Sequence, residues 1–156
     1  MSRVNWDDYD NFAEWEFRCR QTGRVEMQPG TLFRLQLTRD ILQRGMTVNS
    51  GYRHISHPAE RTKGRPGSHT FGHAADIQAS GKDALELMYA AMLASAVEAG
   101  LLSVKQARAW LPQLLQNGFT GIGVQQAGGV SHDKRFIHLD DIESDVARPR
   151  PWLWSY

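Results

Sequence analysis

The chain predicts a single α+β domain over residues 1–156, with a small, mainly antiparallel sheet and helices packed against its other side. Three observations predict it. At 156 residues the chain is about the size of one domain and can bury a core without disulfides. Two stretches place apolar residues at helical spacing. Four short stretches, bounded by glycine or turn residues, are β-branched or alternate apolar with polar residues.

Residues 1–30 are polar and aromatic, with Phe12, Trp15 and Phe17 near the start and Gln28-Pro29-Gly30 at the end, and read as loop with one short helix. A first core helix runs from Thr31, its N-cap, with Leu32, Leu35 and Leu42 near one face and Gly45 as its stop. Met46 to Ser50, closed by Gly51, reads as a strand that delivers Tyr52 and Arg53 to its end. His54 to Gly67 contains Pro58, Gly64 and Pro66 and reads as loop. Ala74 to Gln78 alternates as a strand, putting Asp76 and Ile77 on opposite faces. Asp83 to Ala99 carries Leu85, Met88, Tyr89, Met92, Ala96 and Ala99 at spacings of three and four and predicts a helix stopped by Gly100, with the methionines as core filler. Ser103 and Gln106 match a capping box that opens a second helix, which Pro112 should kink or end before Gly118. Two strands follow, Gly121 to Val124 and Arg135 to Leu139, joined by a Gly-rich loop from Gln125 to Lys134. The second strand puts Phe136, His138 and Asp140 on one face. The tail from Pro149 to Tyr156 cannot be a central strand, but its aromatics can cover a core edge.

Composition excludes several classes of function. Lys plus Arg total 18 against 17 Asp plus Glu, so no overall field draws the chain to nucleic acid or to an anionic membrane surface. No stretch approaches the roughly 20 apolar residues of a membrane span. The start, Met1-Ser2-Arg3-Val4-Asn5, lacks a basic segment followed by an apolar run, so the expectation is synthesis in the cytoplasm with no signal peptide. The single Cys19 cannot form an intramolecular disulfide or a thiolate zinc site, and any metal falls to His and carboxylate.

Such a set exists. His69, a turn with Gly72, then Asp76 on a strand with small neighbours Ala74 and Ala75 can fold a loop ligand over a strand ligand, and His138 can complete a trio. Three protein ligands leave a position open for water, which is the hydrolytic rather than the structural form of a zinc site. His54, His57 and His73 read individually as hydrogen-bonded or surface groups.

The chain resembles the zinc peptidases of family M15, the group of D-Ala-D-Ala carboxypeptidases and phage endolysin-type peptidoglycan endopeptidases. The residues that carry the resemblance are Glu16-Phe17, the Leu32 to Arg44 helix, Ser50-Gly51-Tyr52-Arg53, His69-x-x-Gly72-x-Ala74-x-Asp76, Gly121-Ile122-Gly123 and Phe136-Ile137-His138-Leu139-Asp140. The resemblance implies a hedgehog or D-Ala-D-Ala peptidase-like sheet carrying one Zn²⁺ on His69, Asp76 and His138. It gives Arg53 the role of a cation that meets substrate or the developing oxyanion. Bacterial peptidoglycan peptide is the implied partner and the expected state is a monomer. A phage lysin is expected, let out by a holin-like pore or carried in the virion to the cell wall. Such an ion polarises the scissile carbonyl and acidifies water.

Two departures stand out. Some members carry an acid three positions before the last His ligand, where this chain has Arg135, which cannot accept a proton. The base then falls to Asp133 or Asp140, with His132 in the same loop as a further candidate. Many members have Ser two positions before the first His ligand, where this chain has Gly67 and places Ser68 one residue later. The rival expectation is a zinc-containing cell-wall-binding or structural phage domain without turnover.

Overall fold

Phe17 organises the N-terminal segment. Its side chain is fully buried, with the rings of Trp6 and Phe12 centred 5.5 and 5.4 Å from its own. Around it the chain, a computed structural model describing residues 4–126 and 135–155, winds into two 3-10 turns, Trp6–Asp8 and Glu14–Phe17. The chain divides into two compact units, Met1–Gln78 and Ala79–Tyr156.

In the first unit, helix α1 spans Pro29–Leu42. It begins two residues before Thr31 because Pro29, whose fixed φ suits a first helical turn, takes that place after Gln28. It buries Leu32, Leu37, Ile41 and Leu42, and it ends on Gln43 in the left-handed region at φ 54°, ahead of Gly45. Strands β1, Val48–Ser50, and β2, Asp76–Ile77, pair antiparallel with Ser50 beside Asp76. The segment expected as loop contains one helical turn, α2, Pro58–Arg61, which His57 caps by accepting the Ala59 N–H at 3.2 Å.

In the second unit, α3, Gly81–Glu98, and α4, Val104–Asn117, form the expected helical hairpin. The capping box is present: Gln106 N donates to Ser103 Oγ at 3.2 Å, and Ser103 N to Gln106 Oε1 at 2.9 Å. Pro112 neither ends nor divides α4, which runs on to Asn117. The buried stripe of α3 is Leu85, Ala90, Leu93 and Ala94, and Met92, expected in the core, is 63% exposed. Compact Leu and Ala lie on the face that α3 turns inward, and α4 meets it with buried Ala107 and Leu111.

A three-stranded sheet completes this unit, in the order β4 (Phe136–Asp140), β3 (Gly121–Gln125), β5 (Trp152–Ser155). β4 runs antiparallel to β3, whereas β5 runs parallel to it and packs against α3. The proline-containing tail is thus an edge strand, as the missing N–H of proline requires. Helices with small sheets make the α+β class that the sequence predicts, although the described strands form two sheets instead of one.

Candidate functional site

Three of the expected site residues meet inside the first unit. His69 sits on a 3-10 turn, Ser68–Phe71, that Gly72 ends at φ 70°. Only glycine serves there, because a Cβ would also strike the Glu26 carbonyl and come within 2.9 Å of the Met27 Cα. The imidazole is buried, and its Nδ1 lies 2.7 Å from the Gly51 carbonyl oxygen. A carbonyl only accepts, so Nδ1 carries the proton and Nε2 is left to face Asp76 Oδ1 at 3.3 Å. Gly51 is itself forced: a Cβ there would lie 2.6 Å from the Phe17 Cα, and Tyr52 N bonds the Phe17 carbonyl at 2.9 Å. The Glu16-Phe17 and Ser-Gly-Tyr-Arg motifs are therefore two sides of one contact.

Asp76, with its side chain 51% exposed, uses its other oxygen to accept from Arg53 Nη2. Arg53 is 18% exposed and is fixed further by Nε donating to Ser50 Oγ at 2.8 Å, while its own N–H reaches the His69 carbonyl at 3.3 Å. The register that sets Ser50 beside Asp76 thus aims Arg53. A cleft of about 700 Å³ opens over these groups, with Trp15, Arg18, Arg20, Ser50, Arg53 and Asp76 in its wall.

The His69 and Asp76 pair suits a zinc ion. Two donors each about 2.1 Å from a tetrahedral ion stand about 3.4 Å apart, close to the 3.3 Å observed. The Gly51 carbonyl on Nδ1 is the outer partner that ligand imidazoles normally have. Among the described residues no group of three or more His, Cys, Asp or Glu gathers as a metal cluster, so this pair supplies two donors and not a closed site.

His138 and Asp140 belong to the second unit, on β4. They share a face as expected, with His138 Nε2 3.0 Å from Asp140 Oδ2. Asp140 also accepts two bonds from Arg150, Nε to Oδ1 at 2.9 Å and Nη2 to Oδ2 at 2.8 Å. These Arg150 hydrogen bonds, working against burial and joined by the one from His138, hold the Asp140 carboxyl below its usual range. The Trp154 ring lies 5.3 Å from the imidazole, and the Arg150 guanidinium stacks 5.4 Å from that ring. Across the ladder, Gly121 faces Asp140, and Gly123 lies between His138 and Trp154. A Cβ at Gly123 would fall 2.5 to 2.7 Å from the indole, and one at Gly121 would strike the Asp140 carboxylate. Two bare positions on β3 make the room in which these pairs lie.

Asp133 and His132 lie outside the described residues. His73 is exposed, His54 bonds Ser56 Oγ at 2.8 Å, and His57 caps α2, each matching the plain reading of a lone histidine. Tyr52 is buried, as core packing requires. Arg150, in a Pro-Arg-Pro tail, and Glu60, in a stretch that reads as loop, carry no periodic or motif signal in the sequence.

The sequence model of the family described as Peptidase M15 matches residues 10–111, well over half of the chain. The chain belongs to the Peptidase M15 family. This peptidase therefore carries Arg53, His69 and Asp76 within the matched stretch, whereas β3 and β4 follow it. No curated protein and no solved structure gives a significant match to the peptidase chain.

Proposed function

We propose that the protein is a zinc-dependent peptidase that hydrolyses peptide bonds in the stem or cross-bridge peptides of bacterial peptidoglycan, as a phage lysin. The observation that carries the metal part is the His69 Nε2 to Asp76 Oδ1 approach of 3.3 Å, with Arg53 on the second Asp76 oxygen, inside the stretch that matches the family. His138 is the third ligand, a role that rests on the resemblance of its motif. The cell-wall substrate and the lysin role rest on the resemblance to D-Ala-D-Ala carboxypeptidases and phage endolysins. The cleft supports a polymeric substrate, because its wall extends from Arg53 and Asp76 to the exposed Trp15.

Each residue has a physical task. A bound Zn²⁺ would supply Lewis acidity at the scissile carbonyl and lower the pKa of water. His69 is oriented by the Gly51 carbonyl, and Asp76 is shared with Arg53. Arg53 offers a fixed cation where negative charge develops on the carbonyl oxygen. Asp140 has both oxygens engaged by Arg150 and His138, which favours a role in orienting His138. The proton of the attacking water then goes to Asp133 or His132.

The test is release of new amino groups from purified peptidoglycan by the zinc-loaded protein, with the cleaved bond read by mass spectrometry of defined muropeptides. His69→Ala, with unchanged circular dichroism, should abolish release. Cleavage that persists in this variant rejects the site, and cell-wall binding without turnover in the wild type favours a binding domain.

A further inference from the structure

One buried carboxylate beside the first-unit site has no part in the chemistry above. Glu60 lies on α2 with its side chain fully buried. Burial opposes its charge, so its partners show what it holds. Lys63 Nζ donates to Oε1 at 2.8 Å, the Gly67 N–H donates to Oε2 at 3.0 Å, and Arg53 Nη1 stands 3.8 Å from Oε1. Lys63 is 43% exposed and faces water, whereas the other two partners lead to the site. Gly67 caps the turn that carries His69, and Arg53 is the cation bonded to Asp76. Gly67 is also matched to this contact, since a Cβ there would stand 2.9 Å from both Glu60 Oε2 and Lys63 Nζ.

We propose that Glu60 is a positioning residue for the metal and substrate site: its one carboxylate holds the His69 turn through Gly67 and faces Arg53 Nη1, so that Arg53 meets Asp76 through Nη2 alone. Arg53 lies between two anions, one buried and one at the cleft. While Glu60 takes part of its charge, Asp76 keeps Oδ1 directed at His69 and remains available to a cation. Without Glu60, Asp76 is the only carboxylate left in contact with Arg53 among the described ion pairs, and Arg53 competes with the metal for it.

The inference rests on the peptidase reading above, and its test separates the two. Glu60→Gln can keep its amide oxygen on the Gly67 N–H, with the exposed Lys63 turning to water, and removes the charge facing Arg53. Zinc affinity, by chelator competition, and kcat/KM are measured for wild type, Glu60→Gln, Arg53→Ala and the double variant, with folding checked by circular dichroism. Glu60→Gln should weaken zinc binding and kcat/KM by about 10-fold or more. With Arg53 already removed, the same change should alter each by no more than about 2-fold, because a residue acting through another has no effect in its absence. Equal losses with and without Arg53 overturn the proposal. Zinc binding without turnover in the wild type removes the peptidase reading, and the affinity cycle still decides the role of Glu60. A wild-type protein that binds no zinc overturns both. Should Glu60→Gln not fold, Glu60→Asp withdraws the charge by one methylene and should give a smaller loss that again requires Arg53.

Discussion

Arg53 draws its direction from Ser50, Asp76 and Glu60 together, so its guanidinium is placed before substrate arrives. Preorganised charge of this kind contributes mainly to the transition state. Arg53→Ala should therefore lower kcat by about 100-fold, with much less change in zinc affinity than His69→Ala causes, as steady-state kinetics and metal titration will show. Trp15 is 70% exposed in the cleft wall, where under the proposed function its ring would make a platform for substrate away from the reacting bond. Trp15→Ala should raise KM by about 10-fold with kcat held, the signature of lost uniform binding; an unchanged KM excludes Trp15 from the substrate path. Glu60 has a further consequence for stability. The Lys63 hydrogen bond, outweighing burial and helped by the Gly67 N–H, holds its carboxyl below the usual range. A depressed folded value stabilises the protein above the ordinary Glu value of about 4.3 and loses that contribution as pH falls through the lower folded value. Urea midpoints should fall from about pH 4 downward, and less steeply in Glu60→Gln.

The elements show why some of the fold was legible in the sequence and some was not. The capping box at Ser103 announced α4 because its signal is local, two side chains bonding two backbone groups within one turn. Ser103→Ala should cost about 1 kcal/mol in chemical denaturation. Pro112 misled for the complementary reason: it removes one hydrogen bond, and the helix packing around buried Ala107 and Leu111 carries α4 past it. Met92 likewise fitted the helical spacing, but tertiary contact chose the Leu85 and Leu93 side. In the site, His69, Asp76 and Arg53 were readable because motif and strand register agree. Glu60 and Arg150 were not, since each meets its partners through chain folding that leaves no period in the sequence. The glycines of β3 belong to this second kind, explained only by the indole and the carboxylate lying over them. Gly123→Ala should destabilise the protein by about 1 to 3 kcal/mol through overpacking against Trp154, read as a lower urea midpoint and a shifted indole emission; an unchanged midpoint would show that Trp154 is easily displaced.

Over the whole molecule, a near-neutral chain with one cysteine leaves His and carboxylate to do any metal chemistry, and the Peptidase M15 match covers the segment in which His69 and Asp76 meet. Two histidines have a set orientation, His69 through the Gly51 carbonyl and His138 through Asp140, itself clamped by Arg150. The proposed zinc site draws on both histidines, and this is the claim on which the functional account depends. Zinc titration of metal-free wild type, His69→Ala and His138→Ala, each with unchanged circular dichroism, tests it most directly. One tightly bound ion per wild-type chain is expected, with a loss of affinity of at least about 100-fold in each variant; wild-type affinity retained by His138→Ala would contradict the two-histidine site.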